Sequence, residues 1–306
     1  MIRMGTRASV LALAQARSVV AALSDAAVEI VPMRTEGDRL ADARLAVVGG
    51  KGLFVREIEE ALLRGDVDVA VHSLKDLPAD QPPGLTLAAF PAREDPRDVL
   101  VGRRPVTVQT LPRGARIGTS SPRRRALLLS LRPDLVVEPI RGNVDTRLRK
   151  LAAGDYDAVV LAAAGLRRLA LAPEHCVSLD PDVFVPAVGQ GVIAVQARTD
   201  DRATLARLVP VDDGATRAGA LAERAYLARL GASCNTPMAA HARLDGGTLR
   251  MWAVVASEDG RRVLRANAAA PASDAVRLGR DLADTLLDRG AADITSLEPK
   301  SGARSH

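Results

Sequence analysis

Hydroxyl and charged side chains follow the predicted strands of this chain at the points where those strands end. In "VHSLKDLP", an alternating apolar run is followed by Ser73, Lys75 and Asp76. Ligands of α/β proteins bind outside the carboxyl ends of the strands, so these groups are well placed to form a binding or catalytic site. The alternative is a solvated loop in which Asp76 only caps a turn before Pro78.

A second strand end, "GTSSPRRRALL", carries a predicted helix start. Ser120 or Ser121 can cap the helix, and Pro122 suits its first position. The free N–H groups and positive dipole of such an end bind anions. Three arginines at 123–125 are unfavourable there unless an anion compensates them, which favours an anionic ligand over a merely solvated basic face.

Two further segments have the same arrangement. In "IRGNVDTRLRKL", a strand-like run is followed by Arg141 and Gly142, and Arg147 lies in the next predicted helix. Glycine allows a backbone to approach a ligand closely. "GTRAS" offers Arg7 and Ser9 after a short apolar run. Several loops thus deliver cations to what can be one cleft, with a single carboxylate, Asp76, among them.

The remaining candidates are single residues. Lys51 lies in the glycine-rich "VGGKGLF", which is either a hinge or a ligand contact. Cys234, in the loop "LGASCNTPM", can be incidental, a nucleophile, a metal ligand or an attachment point. Cys176 is predicted to be a buried apolar residue. None of the four histidines has metal-ligand spacing with a cysteine, so no metal site is predicted.

The elements that position these residues alternate between strand-like and helical runs, which predicts α/β units with mixed sheets. Examples are a strand over 67–71 and a preceding helix that ends at Gly65. The proline-marked segments 93–105 and 183–198 are predicted interdomain crossings. From about residue 210 the pattern changes to a helix (215–230), strands and a final helix (274–289), a small α+β domain.

The length and net charge of the chain limit the number of domains and the classes of ligand that are expected. A chain of 306 residues is expected to form two or three domains. The net charge is +5 and the excess is mostly arginine, which suits a polyanion or a ligand with several carboxylates. Aromatic residues make up only 2%, which leaves little surface for base stacking and argues against nucleic acid.

Location is also predicted from the sequence. Two cysteines are too few for a disulfide scaffold, and no uninterrupted apolar run is long enough to span a bilayer. The N-terminal segment lacks the apolar region of a signal peptide. We therefore expect a cytoplasmic protein with no membrane partner.

The ordered motifs "GTRAS", "GGKGLFVREIEEALLRGDVDVAVHSLKDLP", "GTSSPRRRALL", "RGNVDTRLRKL", "LAAAGLRRL", "PAVGQG" and "LGASCNTPMAA" together resemble the porphobilinogen deaminase family over nearly the whole chain. The resemblance implies two periplasmic-binding-protein-like α/β domains with mixed sheets around a cleft, and a small C-terminal α+β domain. Domain 1 would comprise 1–92 and 187–209, domain 2 93–186, and domain 3 210–306.

The resemblance also implies the reaction. Four porphobilinogen molecules are condensed head to tail into hydroxymethylbilane, with release of ammonia, on a covalently attached dipyrromethane cofactor. A monomer that hands its product to the next enzyme of the tetrapyrrole pathway is expected. The competing hypotheses are a non-enzymatic protein that binds a polycarboxylate in the same kind of cleft and a basic nucleic-acid-binding protein.

Site residues follow from the same resemblance, position by position. The catalytic residue is Asp76, which also contacts the cofactor, and the cofactor is joined to Cys234 through a thioether. The other cofactor-binding residues are Lys75, Ser121, Arg123, Arg124 and Gly142. Substrate-binding residues are Arg7, Ser9, Ser73, Thr119, Arg141, Arg147, Arg168 and Gln190.

Overall fold

A computed structural model describes residues 1–23, 27–35, 55–232 and 235–297. The chain forms two compact units. Unit 1 comprises Met1–Glu94 and Gly191–Arg217, and unit 2 comprises Asp95–Gln190 and Ala218–His306. The chain therefore leaves unit 1 after residue 94 and returns to it at residue 191.

Unit 1 is built on a five-stranded mixed sheet of order β2-β1-β3-β10-β4. Strands β1 to β3 are parallel, and β10 is antiparallel to both of its neighbours. The strands are β1 (Ile2–Arg7), β2 (Val28–Met33), β3 (Val69–Ser73), β4 (Leu85–Ala89) and β10 (Ile193–Arg198). The helices are α1 (Val10–Ala22), α2 (Arg56–Arg64) and α6 (Arg202–Leu208).

Apolar side chains cover both faces of this sheet. One core cluster includes Met4, Val19 of α1 and Leu208 of α6, and a separate cluster includes Ile58 and Leu62 of α2. In a sheet that is buried on both faces, each strand has a nearly continuous apolar sequence, as β3 does. Its functional groups must therefore lie at the strand ends rather than along the strands.

Unit 2 contains a second five-stranded sheet, of order β7-β6-β8-β5-β9. The strands β6, β7 and β8 are parallel, and β5 is antiparallel to β8 and β9. The strands are β5 (Asp98–Gly102), β6 (Arg116–Gly118), β7 (Val136–Glu138), β8 (Ala158–Ala162) and β9 (Cys176–Ser178). The helices are α3 (Pro122–Leu131), α4 (Val144–Ala153) and α5 (Ala163–Arg168).

The two sheets share one strand order. In each sheet, three parallel strands lie side by side with the earliest of them in the middle. Next to them lies an antiparallel strand that begins just after the chain passes from one unit to the other, and the last strand forms the edge. The antiparallel strand is β10 in unit 1 and β5 in unit 2. The repeated order supports two related α/β folds.

The rest of unit 2 is a three-stranded antiparallel sheet of order β11-β12-β13. Its strands are β11 (Met238–Asp245), β12 (Thr248–Ala256) and β13 (Val263–Pro271). Its helices are α8 (Ala275–Asp288) and α7 (Gly214–Leu230), of which the first four residues belong to unit 1. The leucines of α8 at 278, 282 and 286 pack one above another in its core. Burial of each contributes about 1.5–3 kcal/mol.

The predicted fold class is confirmed, with two α/β folds and a small α+β part. The helices predicted at 215–230 and 274–289 are present within one residue at each end. The strand predicted at 67–71 begins two residues later, at Val69. The three-domain boundaries stay a prediction. No helix in the described ranges is both long and apolar enough to cross a membrane.

Gly279 is required where α8 packs on α7. A Cβ built there lies 2.0 Å from the Ala222 carbonyl oxygen and 3.0 Å from the Tyr226 backbone nitrogen. We expect Gly279→Ala to lower the free energy of unfolding by about 2 kcal/mol, because the clash outweighs the gain of about 1 kcal/mol in helix propensity. Urea denaturation measures the difference.

Gly214→Ala is the matched control, because a Cβ at that position has no neighbour within 4 Å. It should change the free energy of unfolding by less than about 0.5 kcal/mol. A Gly279→Ala protein as stable as the Gly214→Ala protein would contradict the packing argument.

Candidate active site

Five predicted site residues of unit 1 share one edge of its sheet. Strands β1 and β3 are parallel neighbours with Met4 opposite Val69, so Arg7 and Ser73 end them at the same edge. Ser9 follows β1 as the N-cap of α1, and Lys75 and Asp76 follow β3 directly. The strand register thus gathers residues that lie more than 60 positions apart in sequence.

The two hydroxyls at this edge have structural partners. The Ser9 Oγ accepts a hydrogen bond from the Ala12 backbone N–H at 3.3 Å, which caps α1. The Ser73 Oγ accepts from Gln15 Nε2 at 2.8 Å and donates to Gln15 Oε1 at 3.2 Å. These bonds tie the end of β3 to α1 and hold the edge rigid.

Lys75 and Asp76 lie on a single 3₁₀ turn, Leu74–Asp76. Buried leucines at 74 and 77 anchor both sides of it, and the Leu74 N–H donates to the Val192 carbonyl at 3.0 Å. Asp76 is half-buried, and within the described chain its carboxylate makes no hydrogen bond or ion pair. The alternative that Asp76 only caps its own turn therefore has no support in the structure.

His72 lies on β3, two residues before this turn, and its side chain is buried. The pKa of His72 is lowered from the ordinary 6.5 to about 4, because burial and, to a smaller extent, the charge of Arg7 outweigh a hydrogen bond with Gln196 that raises it. The imidazole is therefore neutral at physiological pH. Among the described residues its Nε2 has no hydrogen-bond partner.

In unit 2 the predicted loops also meet at one sheet edge. Strands β6 and β7 are parallel neighbours, and the helices that follow them begin side by side. Ser121 caps α3 by accepting from the Arg124 N–H at 3.4 Å, and Asn143 caps α4 by accepting from the Thr146 N–H at 2.9 Å. The Ser120 Oγ donates to the Ile140 carbonyl at 2.7 Å and joins the two loops.

Two helix N-termini at one edge form an anion site in principle. Thr119 supports the first of them, because its Oγ1 accepts from the Ser121 N–H at 3.2 Å. Pro122 is the first residue of α3, as predicted. Of the two serines considered as caps, Ser121 is the one that fills the role.

Arg123 and Arg124 are buried rather than solvated, and both bind Asp98, the first residue of β5. The Arg123 Nη1 and Nη2 donate to Asp98 Oδ2 at 2.7 Å and Oδ1 at 3.1 Å. Arg124 donates to Asp98 Oδ1 from Nε at 2.9 Å. For Arg123 and Arg124, the protein itself supplies a compensating anion, the carboxylate of Asp98.

The pKa shifts in this cluster leave Asp98 and Arg124 charged at neutral pH. Burial raises the pKa of Asp98, but the charges of Arg123 and Arg124 outweigh it, and the net shift is downward. Burial lowers the pKa of Arg124 to about 10, although Asp98 opposes this. The positive charges of Arg123 and Arg147 also lower the pKa of Arg124, so Arg147 lies close enough to add to the same field.

Arg147 has no acidic partner among the described residues of unit 2. Its Nε donates to the Gly142 carbonyl at 2.9 Å, and its terminal nitrogens make no other hydrogen bond there. Burial lowers the pKa of its guanidinium. Arg123 and Arg124 share the Asp98 carboxylate, and Arg147 adds a third positive charge near Arg124, which leaves a surplus of positive charge.

The remaining predicted positions differ in their surroundings. Gly142 has φ +104°, and a Cβ there lies 2.5 Å from Thr146 Cγ2, so the turn itself requires glycine.

Arg141 is exposed, and Arg168 is half-buried as the last residue of α5. The Gln190 Nε2 donates to the Pro96 carbonyl at 2.6 Å and to Asp98 Oδ1 at 3.2 Å.

Some predicted positions lie outside the described residues, namely Cys234 and the loop that carries Lys51. Cys176 is half-buried, and burial raises the pKa of its thiol, which makes it a poor nucleophile. No cluster of three or more potential metal ligands occurs in the described ranges. Asp98 is not among the residues predicted from the sequence, where its only signal is an acidic residue directly before the apolar run "VLVG".

Comparison with known families identifies the chain. A model described as porphobilinogen deaminase, dipyromethane cofactor binding domain, matches residues 2–206, and one for the porphobilinogen deaminase C-terminal domain matches 218–288. The chain belongs to the porphobilinogen deaminase family. Its reaction is the head-to-tail condensation of four porphobilinogen molecules into hydroxymethylbilane, with release of ammonia, on a covalently bound dipyrromethane primer in tetrapyrrole biosynthesis.

Curated relatives named porphobilinogen deaminase are similar over nearly the full length. One from Roseiflexus sp. (strain RS-1) is 53% identical, covering 94% of this chain and 95% of the relative. One from Acidithiobacillus ferrooxidans is 52% identical, covering 96% of each. Among solved structures, the substrate binding protein of an amino acid ABC transporter is 15% identical with a TM-score of 0.36, over 69% of this chain and 90% of that one.

The buried His72 predicts an acid-sensitive fold. Because its pKa is about 4 in the folded chain against 6.5 for the free group, the unfolded chain alone binds a proton between these values. Acidification through this window should cost stability, up to about 3 kcal/mol from this group. The free energy of unfolding is measured at pH 7 and pH 4.5 for the wild type and for His72→Gln.

The glutamine side chain does not titrate, so His72→Gln should lose less stability on acidification than the wild type does. All other titrating groups are common to the two proteins and cancel in the comparison. Equal losses in both would show that His72 is not buried in its neutral form.

Proposed function

We propose that the strand-end loops of unit 2 bind the carboxylates of dipyrromethane and of the growing chain, and that Asp76 in unit 1 is the catalytic acid–base and electrostatic residue. The observation that carries this proposal is the surplus of positive charge around Arg147. Porphobilinogen bears an acetate and a propionate, so each added unit brings two more negative charges. A guanidinium can bind such a carboxylate bidentately.

The residues of unit 2 fit the dipyrromethane group. The Arg123 Nε is buried and has no hydrogen-bond partner among the described residues. The Arg147 terminal nitrogens are also unused there. Unused cationic donors beside two helix N-termini are suited to carboxylates that arrive with a ligand. When bound through a thioether to Cys234, dipyrromethane supplies the primer to which porphobilinogen units are added.

Asp76 is proposed to act on the substrate ring. A positive charge develops on the pyrrole of porphobilinogen as ammonia leaves, and an ionised carboxylate nearby stabilises it. Asp76 can also accept and return the protons needed for ammonia release and rearomatisation. Its support is the half-buried carboxylate without a partner in the described chain, held on a turn anchored by buried leucines.

The other assignments follow as part of the same proposal. The cofactor-binding set is completed by Lys75, Ser121, Arg124 and Gly142, and substrate contacts are proposed for Arg7, Ser9, Ser73, Thr119, Arg141, Arg168 and Gln190. Ser73 and Gln190 already make internal hydrogen bonds, so their contribution is expected to be largely through rigidity. Arg141 is exposed and is the member best placed to meet incoming substrate.

The finer statements on partners and location belong to the proposal as well. We propose a cytoplasmic monomer that passes hydroxymethylbilane to the next enzyme of the pathway. The low cysteine content supports a reducing compartment. A mass measured by light scattering near 32.2 kDa supports the monomer, and twice that value contradicts it.

Arg147→Leu tests the proposed carboxylate site. We expect a lower fraction of purified protein carrying the dipyrromethane mass, or a kcat/KM for porphobilinogen reduced about 10-fold to 100-fold, because a charge-assisted pair is lost. Intact-mass spectrometry and steady-state kinetics measure these. Cys234→Ser sets the mass of the unloaded chain.

Arg149→Leu is the matched control on the same helix. Arg149 is exposed, and its Nη2 donates only to Thr146 Oγ1 in the described chain. Its loss should leave loading and kinetics near the wild-type values. If Arg147→Leu loads and turns over like Arg149→Leu, the surplus charge does not bind the ligand.

Asp76→Ala tests the catalytic assignment. We expect kcat to fall by about 10²-fold or more, because charge stabilisation and proton transfer are both lost. The thermal unfolding midpoint should change little, since the carboxylate has no partner in the described chain to lose. Turnover within a few-fold of the wild type would refute the role of Asp76.

A further inference from the structure

Asp98 lies at the centre of a buried hydrogen-bond network that joins several segments of unit 2. It is fully buried at the start of β5 and accepts hydrogen bonds from Arg123, Arg124 and Gln190. Arg123 also donates to the Val185 carbonyl at 2.9 Å. The segments that meet are β5, the first turn of α3, the chain near 185 and the crossing segment at 190.

The network fixes the direction of both guanidinium groups. Arg123 binds Asp98 through both terminal nitrogens, at 2.7 and 3.1 Å. Arg124 binds it through Nε and Nη2, at 2.9 and 2.8 Å, and its Nη1 donates to the Val160 carbonyl at 2.8 Å. A guanidinium held at several donors keeps one orientation, whereas a free arginine samples many rotamers.

The hydrogen bonds between Arg123 and Asp98 use the terminal nitrogens of the guanidinium and leave its Nε available. The Arg123 Nε is buried and has no partner in the described chain, although a buried N–H is costly to leave unbonded. An unpartnered donor on an otherwise fully oriented side chain is a preformed contact for an acceptor that comes from outside the chain. Its direction depends on Asp98, which holds the other end of the same guanidinium.

We infer that Asp98 is a positioning residue for dipyrromethane: it orients Arg123 and Arg124 so that their remaining donors and the α3 N-terminus meet the carboxylates of the group. This inference rests on the proposed function of the unit 2 loops. Asp98 does not touch the ligand in this scheme. It acts through the two arginines, and it does more than balance their charge.

Asp98→Glu separates positioning from charge balance. Glutamate keeps the negative charge and the acceptors but is one methylene longer, so it displaces both guanidinium groups in a close-packed interior. We expect the fraction of purified chains with the dipyrromethane mass to fall several-fold. Asp98→Asn, which also removes the charge, should lower it by about 10-fold or more, because charge-assisted hydrogen bonds are lost.

The controls are two destabilised variants of unit 2 away from these arginines. Asp134→Asn breaks an ion pair with Arg132 at the opposite end of α3, where Nε and Nη2 each donate at 2.7 Å. Gly279→Ala disturbs the packing of α8 on α7. For all four variants the loaded fraction is measured by intact mass and compared with the thermal unfolding midpoint.

A purely structural role for Asp98 predicts that loading falls with stability along one common line for all variants. Positioning predicts that both Asp98 variants lie below the line set by the two controls. It also predicts that the loaded Asp98→Glu chains have a raised KM for porphobilinogen with kcat less affected, because the same arginines bind the growing chain. Asp98→Glu loading on the control line overturns the inference, and it remains decisive if Asp98→Asn does not fold.

A failure of the positioning role can be distinguished from a failure of the proposed function. If Arg147→Leu loads and turns over normally, the carboxylate site itself is wrong. If Arg147→Leu is impaired while Asp98→Glu loads as its stability predicts, only the positioning role is overturned.

Discussion

The Asp98 carboxylate lies between two guanidinium groups in the interior of unit 2, and the proposed carboxylate site depends on that contact. A buried carboxylate is stable only where cations and hydrogen bonds replace the water it has lost. Here the same bonds also constrain the partners. The first turn of α3, the start of β5 and the segment near Gln190 are held by one group of side chains.

Arginine suits this arrangement for a geometric reason. Arg124 donates to Asp98 and to the Val160 carbonyl at once, which the planar fork of a guanidinium allows. The compact ammonium of lysine would reach one of these partners. Because Arg123 and Arg124 are buried, they contribute little to a basic outer surface, so the net charge of the chain overstates its capacity to bind a nucleic acid backbone.

Local features of the site were readable from the sequence because they depend on neighbours along the chain. The capping of α3 by Ser121, the proline after it and the helix stop at Gly65 are of this kind. The burial of Arg123 and Arg124 was not, since Asp98 lies about 25 residues earlier and is brought to them by the order of strands in the sheet. The neutral state of His72 likewise depends on burial by distant segments.

Unit 1 and the α/β sheet of unit 2 differ in when their strands emerge during synthesis. The unit 2 sheet is encoded without interruption between residues 98 and 178. In unit 1, β4 pairs only with β10 among the described strands, and β10 begins at residue 193. A nascent chain therefore exposes an unfinished sheet edge at β3 and an unpaired β4 until more than 100 further residues have been made. The second sheet to be started is the first that can be completed, and the first must wait for β10, which joins β4 to the rest of it.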